Sequence, residues 1–285
     1  MRLSSRAPAR VEPLQARPVL ELSGPKLARA LEALVSETEE FGGVERYVDA
    51  LKAKRLLFAE ALGEGRARAI DAATLRQLLS LMATVRRRVG PYLDQLALYA
   101  WRARLAELLD GASDTGATDA AVARFCAHFP ADRAHRFVRD LATEVLHNVD
   151  PERFPLMCRW VWDRKANTGV LRELWHAEDA DRVTIEVPDG YDTFVVLREE
   201  LSQYLAGNGV YRDVLQYVDL LTAQVYAEYI VEQGGSYLRT DFAQPQDPTL
   251  HTRRMLGLDV GRDGRSKLKA VDGQAVRAEA PRLAN

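Results

Sequence analysis

The chain has 285 residues, 39 Lys and Arg against 41 Asp and Glu, and a formal charge of −2, so no global field selects nucleic acid or an anionic membrane. A 47% hydrophobic share beside 28% charged residues is that of a globular protein with room for a sizeable core. Two cysteines, Cys126 and Cys158, exclude a disulfide framework and place the expected home in a reducing cytoplasm.

No run approaches the ~20 apolar residues of a membrane span, and the Ala- and Arg-heavy composition suggests a bacterial chain. Residues 1–22 read as a disordered basic arm, because Pro8, Pro13 and Pro18 break any amphipathic helix there. Ser23-Gly24-Pro25 opens the first predicted helix, with Leu27, Leu31, Leu34 and Val35 at helical spacing. Gly42-Gly43 ends it, and Tyr47, Leu51, Leu56 and Leu57 continue in a second, stopped by Gly63 and Gly65.

Asp71 or Thr74 starts a third helix through Leu75, Leu78, Leu79, Met82 and Val85, whose last turn would carry Arg86, Arg87 and Arg88. Tyr92 to Leu109 is the clearest helix of the first half, with Leu93, Leu96, Trp101, Leu105 and Leu108 on one stripe. The small polar segment 111–118 reads as a linker between an N-terminal helical part (23–110) and a C-terminal one (118–233).

In the second part, Thr118 or Asp119 caps a short helix and Asp132 the next, which runs to His147. Pro155 opens a further helix with Leu156, Met157, Trp160 and Val161 inward, and Val170 to His176 forms a short one. Val183–Val187 alternates as a strand. Phe194–Leu197 is either the return strand of a hairpin or, as the pattern persisting to Leu205 favours, part of a helix capped by Asp192. Arg212 to Val231 predicts a strong amphipathic helix with Val214, Val218, Leu221 and Val225 in the core. Residues 234–285 lose periodicity and read as an extended, partly disordered tail, docked as far as Leu258 and basic beyond. The expected fold is therefore mainly α, a multi-helix orthogonal or bundle-like unit with one short strand or hairpin near 183–197.

Candidate chemistry concentrates in residues 132–176. Two Glu-x-x-His pairs, Glu144/His147 and Glu173/His176, have the i, i+3 spacing with which ferritin-like carboxylate proteins hold two metal ions. Both pairs read as lying opposite their helices' apolar stripes, with Asp140 beside the first. A solvated charged face is thus expected, with no cofactor. Cys126, His128, His135 and Cys158 lack the paired spacing of a zinc site. No P-loop, Rossmann fingerprint or nucleophile elbow is present.

Arg159, Trp162 and Arg164 interleave cations with an aromatic, and with Arg86, Arg87 and Arg88 they form the candidate binding residues. The stretch from His147 to Trp162 resembles a segment of helix-hairpin-helix DNA glycosylases. That family's glycine-bearing hairpin is absent, so no residue role is carried across. The expectation is an accessory protein that binds a protein partner or itself. An enzyme or metal protein using the Glu/His faces, and a nucleic-acid binder using the Arg/Trp surface, are the alternatives.

Overall fold

A computed structural model describes residues 17–176, 183–234, 249–259, 265–269 and 275–277. Eleven α-helices lie among them: α1 (Gly24–Glu39), α2 (Gly43–Leu62), α3 (Ala72–Ser80), α4 (Gly90–Gln95), α5 (Leu98–Gly111), α6 (Thr118–Ala127), α7 (Phe137–Val149), α8 (Val170–Leu174), α9 (Tyr191–Gly207), α10 (Val214–Gly234) and α11 (Leu250–Met255). The strands β1 (Arg265–Lys269) and β2 (Ala275–Arg277) pair antiparallel.

Helices α7 and α10 are buried on nearly every side. Each packs on α2, while α10 also meets α1, α8, α9 and α11, and α6 covers α7. Every residue from Val218 to Val225 is buried, so α10 has no solvent stripe along that stretch and is not the amphipathic helix that the sequence predicts. Val218, Leu221 and Val225 are core as expected, whereas Val214 is only partly buried against it. Buried residues from both sides of segment 111–118 join in one cluster. That segment carries a 3₁₀ turn, Thr115–Ala117, capped by the Asp114 carboxylate, which accepts from the Gly116 N–H at 3.0 Å.

Several predicted elements differ from those observed. The third helix stops at Ser80, and residues 81–89 wind through turns instead. The helix predicted over 92–109 is broken where Leu96 (ψ 125°) and Ala97 (ψ 146°) turn extended, with the Trp101 indole donating back to the Tyr92 carbonyl at 3.3 Å.

The helix predicted from Pro155 through Val161 is absent. The carbonyls of Trp160 and Val161 instead accept the N–H groups of Val170 and Leu171, at 3.1 and 3.0 Å. Orphan donors of α8 are thereby satisfied by a loop. This fold-back requires Gly169, at φ +123°, since a Cβ there would sit 2.7 Å from the Val161 oxygen.

Residues 183–187 form no strand. Their backbone groups go to side chains: the Val187 carbonyl accepts from the Trp162 indole, the Val183 carbonyl from Asn167 and Arg172, and the Ile185 N–H donates to Asn167 Oδ1. Phe194 to Leu205 is helical, within α9.

The predicted arm also has structure near its end. Leu20 is buried, Leu22 bridges Trp175, and the Ser23 N–H donates to the Leu174 carbonyl at 2.8 Å. Residues 235–248, within the part of the C-terminal tail expected to dock, lie outside the described residues. Within that tail, α11 packs on α10 and Leu256 is buried, so it is not simply extended.

Leu221 is fully buried in α10. Leu221→Ala should therefore lower unfolding stability by ~2–5 kcal/mol in a urea melt, the range for truncating an enclosed leucine.

Candidate functional site

The site rests on a layer of charge inside the helices. On α7, Asp140, Glu144 and His147 are 1%, 2% and 4% exposed, so the expectation of a solvated face is overturned. At 100° per residue Glu144 lies only about 20° from Phe137, so the charged stripe borders the apolar one rather than opposing it. With α7 enclosed by α2, α6 and α10, both stripes are buried.

Buried charge requires partners, and the neighbouring helices supply them. From α2, the Lys54 ammonium stands 3.5 Å from Glu144 Oε2 and donates to the Leu256 carbonyl at 2.9 Å. The adjacent Arg55 donates to Asp219 Oδ2 on α10 at 2.7 Å. His147 Nε2 faces the same oxygen at 2.8 Å, and its Nδ1–H donates to the Phe154 carbonyl at 2.8 Å. Burial pulls the Asp219 carboxyl up, but His147 and Arg55 outweigh it and hold the group below the ordinary range. Burial raises Glu144 to about 7, with Lys54 opposing and Asp140 adding to the rise. Cys158, fully enclosed beside Thr143, is pushed well above the usual thiol value by burial, which makes it a poor nucleophile. The cavity touching His147 and Asp219 measures 20 Å³, too small for a substrate.

This layer supports an open cationic surface. Asp140 accepts both the Arg159 backbone N–H (2.9 Å) and its guanidinium (3.0 Å), fixing that side chain at the rim. Asp163 takes the Arg136 guanidinium at 2.6 Å and caps the turn 163–168 by accepting from the Ala166 N–H at 3.0 Å. That turn exposes Lys165.

Asp132 caps the 3₁₀ turn Arg133–His135, accepting N–H bonds from Ala134 and His135. It also accepts from His135 Nδ1 at 2.7 Å, while the other ring nitrogen is hydrogen-bonded to the Tyr92 hydroxyl. The imidazole is thus held at both nitrogens, and its turn presents Arg133 to solvent.

Arg86 makes a two-pronged contact with Asp259, at 2.6 and 2.8 Å, and that pair is buried. Gly257 permits the approach, since at φ +71° a Cβ would fall 1.7 Å from the Leu81 oxygen. Val85 and Val89, both fully buried, anchor the turn so that Arg87 and Arg88 between them face outward.

Two clefts result. One, of 570 Å³, is lined by Arg86, Arg87, Arg88, Arg133, Arg136, Arg159 and Arg254 together with His251. The other, of 810 Å³, shares Arg133, Arg136 and Arg159 and adds Arg139, His135 and Lys165. Arg87, Arg88, Arg133 and Lys165 are exposed and enter no ion pair among the described residues.

Of the predicted binding residues, the structure brings Arg86, Arg87, Arg88 and Arg159 together. Trp162 is fully buried and donates to the Val187 carbonyl at 3.0 Å, so its side chain offers no stacking face. Arg164 pairs with Glu186 at the surface and lines neither cleft. The two Glu/His pairs do not converge: Glu144 and His147 are taken up in the buried layer, Glu173 is half-buried on α8, and His176 is exposed beyond its end. No group of three or more His, Cys, Asp or Glu positioned for a metal ion exists among the described residues.

Sequence reasoning passed over Arg133, Arg136 and Lys165. It also passed over Lys54, Arg55 and Asp219, although Asp219 is the only charged residue between Val214 and Ala227 and so calls for a buried partner. No protein-family profile matches the chain, and neither a curated protein nor a solved structure matches it.

Two measurements test the buried layer. Asp219→Ala strands Arg55 beside His147 and should cost ~3–5 kcal/mol in denaturant unfolding. The raised Glu144 carboxyl favours the folded state most below pH 4.5, and this contribution is lost as pH rises through about 7. A plot of stability against pH should show that fall, on the order of 3 kcal/mol. Glu144→Gln should flatten the profile across the same window.

Proposed function

We propose that this chain is a partner-binding protein without catalytic chemistry of its own, and that its working surface is the arginine-lined double cleft, which takes a phosphate-bearing anion. The carrying observation is that Arg87, Arg88, Arg133 and Lys165 line two joined clefts, exposed and outside any ion pair among the described residues, in a chain of net charge −2. Surface carboxylates are numerous enough to neutralise these cations, yet the local turns direct them into a shared recess. Guanidinium groups suit the task because their planar fork meets two phosphate oxygens at once.

The buried Glu/His residues support a catalytic reading less well. Glu144 and His147 are enclosed beside a cavity too small for substrate, and Glu173 and His176 stand on a different element. Arg87, Arg88 and Arg133, by contrast, are open to solvent, beside Arg86, Arg136 and Arg159, which acids hold in place.

Tripolyphosphate provides a direct test. At a hundred times its Kd it should raise the melting temperature of the full chain by roughly 5 °C, the mass-action stabilisation for a ligand that binds only the folded state. Arg87→Ala, Arg88→Ala and Arg133→Ala combined should abolish the rise while leaving the unliganded melting temperature in place. No rise at low salt would refute the reading.

A further inference from the structure

We infer that the anion taken by the double cleft is a single strand of nucleic acid, gripped along its phosphodiester backbone without regard to base. The inference rests on the anion-binding reading above and specifies its ligand.

The arrangement of the cations argues for a repeating anion. Arg87 and Arg88 line only the first cleft and Lys165 only the second, while Arg133, Arg136 and Arg159 line both. Arg87 and Arg88 come from the turn over 81–89, Arg133 from 133–135 and Lys165 from 163–168, so the cations are spread along two joined clefts. A chain carrying a phosphate on every residue can pass from the first cleft across the shared wall into the second.

The clefts' other features favour a strand over an acidic protein. The larger aliphatic and Met side chains lining the clefts, Val138, Ile230 and Met255, are buried or half-buried, and none of the large exposed apolar side chains among the described residues, Tyr99 and Tyr211 included, is there. A protein partner would require such an apolar anchor at the centre of its footprint. The aromatic rings that do line the recess, Phe129 and Phe137, are 8% and 2% exposed and offer bases no stacking platform. Recognition therefore falls on the backbone, and a flexible strand can follow a recessed wall that a rigid duplex touches only at its edge.

Fluorescence anisotropy with the full chain and a labelled oligothymidine of about twenty nucleotides tests this. With about four phosphates neutralised by the unpaired cations, the slope of log K against log salt should be about −3. Affinity should thus fall about fifty-fold between 50 and 200 mM salt. Arg87→Ala, Arg88→Ala, Arg133→Ala and Lys165→Ala combined should weaken binding at least tenfold with the melting temperature retained. If that variant fails to fold, Arg133→Ala and Lys165→Ala made singly should each make the slope shallower by about 0.7. Polyglutamate of matched charge, added as competitor, should displace the strand poorly. Equal displacement by polyglutamate, or a tripolyphosphate shift without strand binding, would overturn the nucleic-acid assignment and leave the anion cleft standing. Binding of neither strand nor tripolyphosphate would overturn both.

Discussion

The fold depends on placing the charged stripe of α7 inside the protein. Asp140, Glu144 and His147 are out of water, and burying ionised groups is costly unless each meets a counter-charge or a hydrogen bond. Lys54 and Arg55 on α2, and Asp219 on α10, are placed to meet them. This requirement sets how the three helices sit together: a shift of α2 by one residue would leave one of the two cation positions to Ala53 or Leu56. Apolar packing provides most of the attraction, but it is tolerant of register. The ion pairs are not.

The same layer determines where the surface cations stand. Asp140 faces inward from α7, yet its carboxylate holds Arg159 at the rim through two hydrogen bonds. Arg86, one residue away from the exposed Arg87, is fixed by the C-terminal segment through Asp259, and Lys54 holds that segment again at the Leu256 carbonyl. The clefts are therefore lined by side chains of two kinds. Some are clamped by buried acids and define the wall, while Arg87, Arg88, Arg133 and Lys165 extend from short turns into solvent. A rigid wall with free cations gives an incoming anion charge at little reorganisation cost.

The C-terminal segment is more closely integrated than its composition suggests. Thr252 donates to Gln224 at 2.7 Å, Thr249 meets the Tyr47 hydroxyl at 3.2 Å, and Gly257 lets the backbone cross close over Leu81. Each contact reaches a residue far away in sequence. Short segments of this kind carry weak periodicity because their few apolar positions answer to a surface made by other helices.

Local signals determined much of this protein. Gly42-Gly43, the Asp71 cap, and the apolar spacing of α1, α2, α3 and α9 act within a few residues, and the corresponding elements appear in the structure, whereas Asp132 caps a 3₁₀ turn and α7 begins only at Phe137. Tertiary contacts decided the rest. The loop from Phe154 to Gly169 has helical spacing in its apolar residues, but it folds into turns in which the Trp160 and Val161 carbonyls accept the amides of α8. The strand-like alternation at Val183–Val187 found side-chain partners and no neighbouring strand. Among the candidate binding residues, the arginines of 86–88 were legible as a run. Their meeting with Arg133, Arg136 and Lys165 was not, because those residues come from turns whose juxtaposition follows from helix packing. Hydrophobic period records which face of a helix is apolar. It does not record whether the polar face meets water or another helix's charge, and on α7 that difference separates a solvated surface from the layer beneath the clefts.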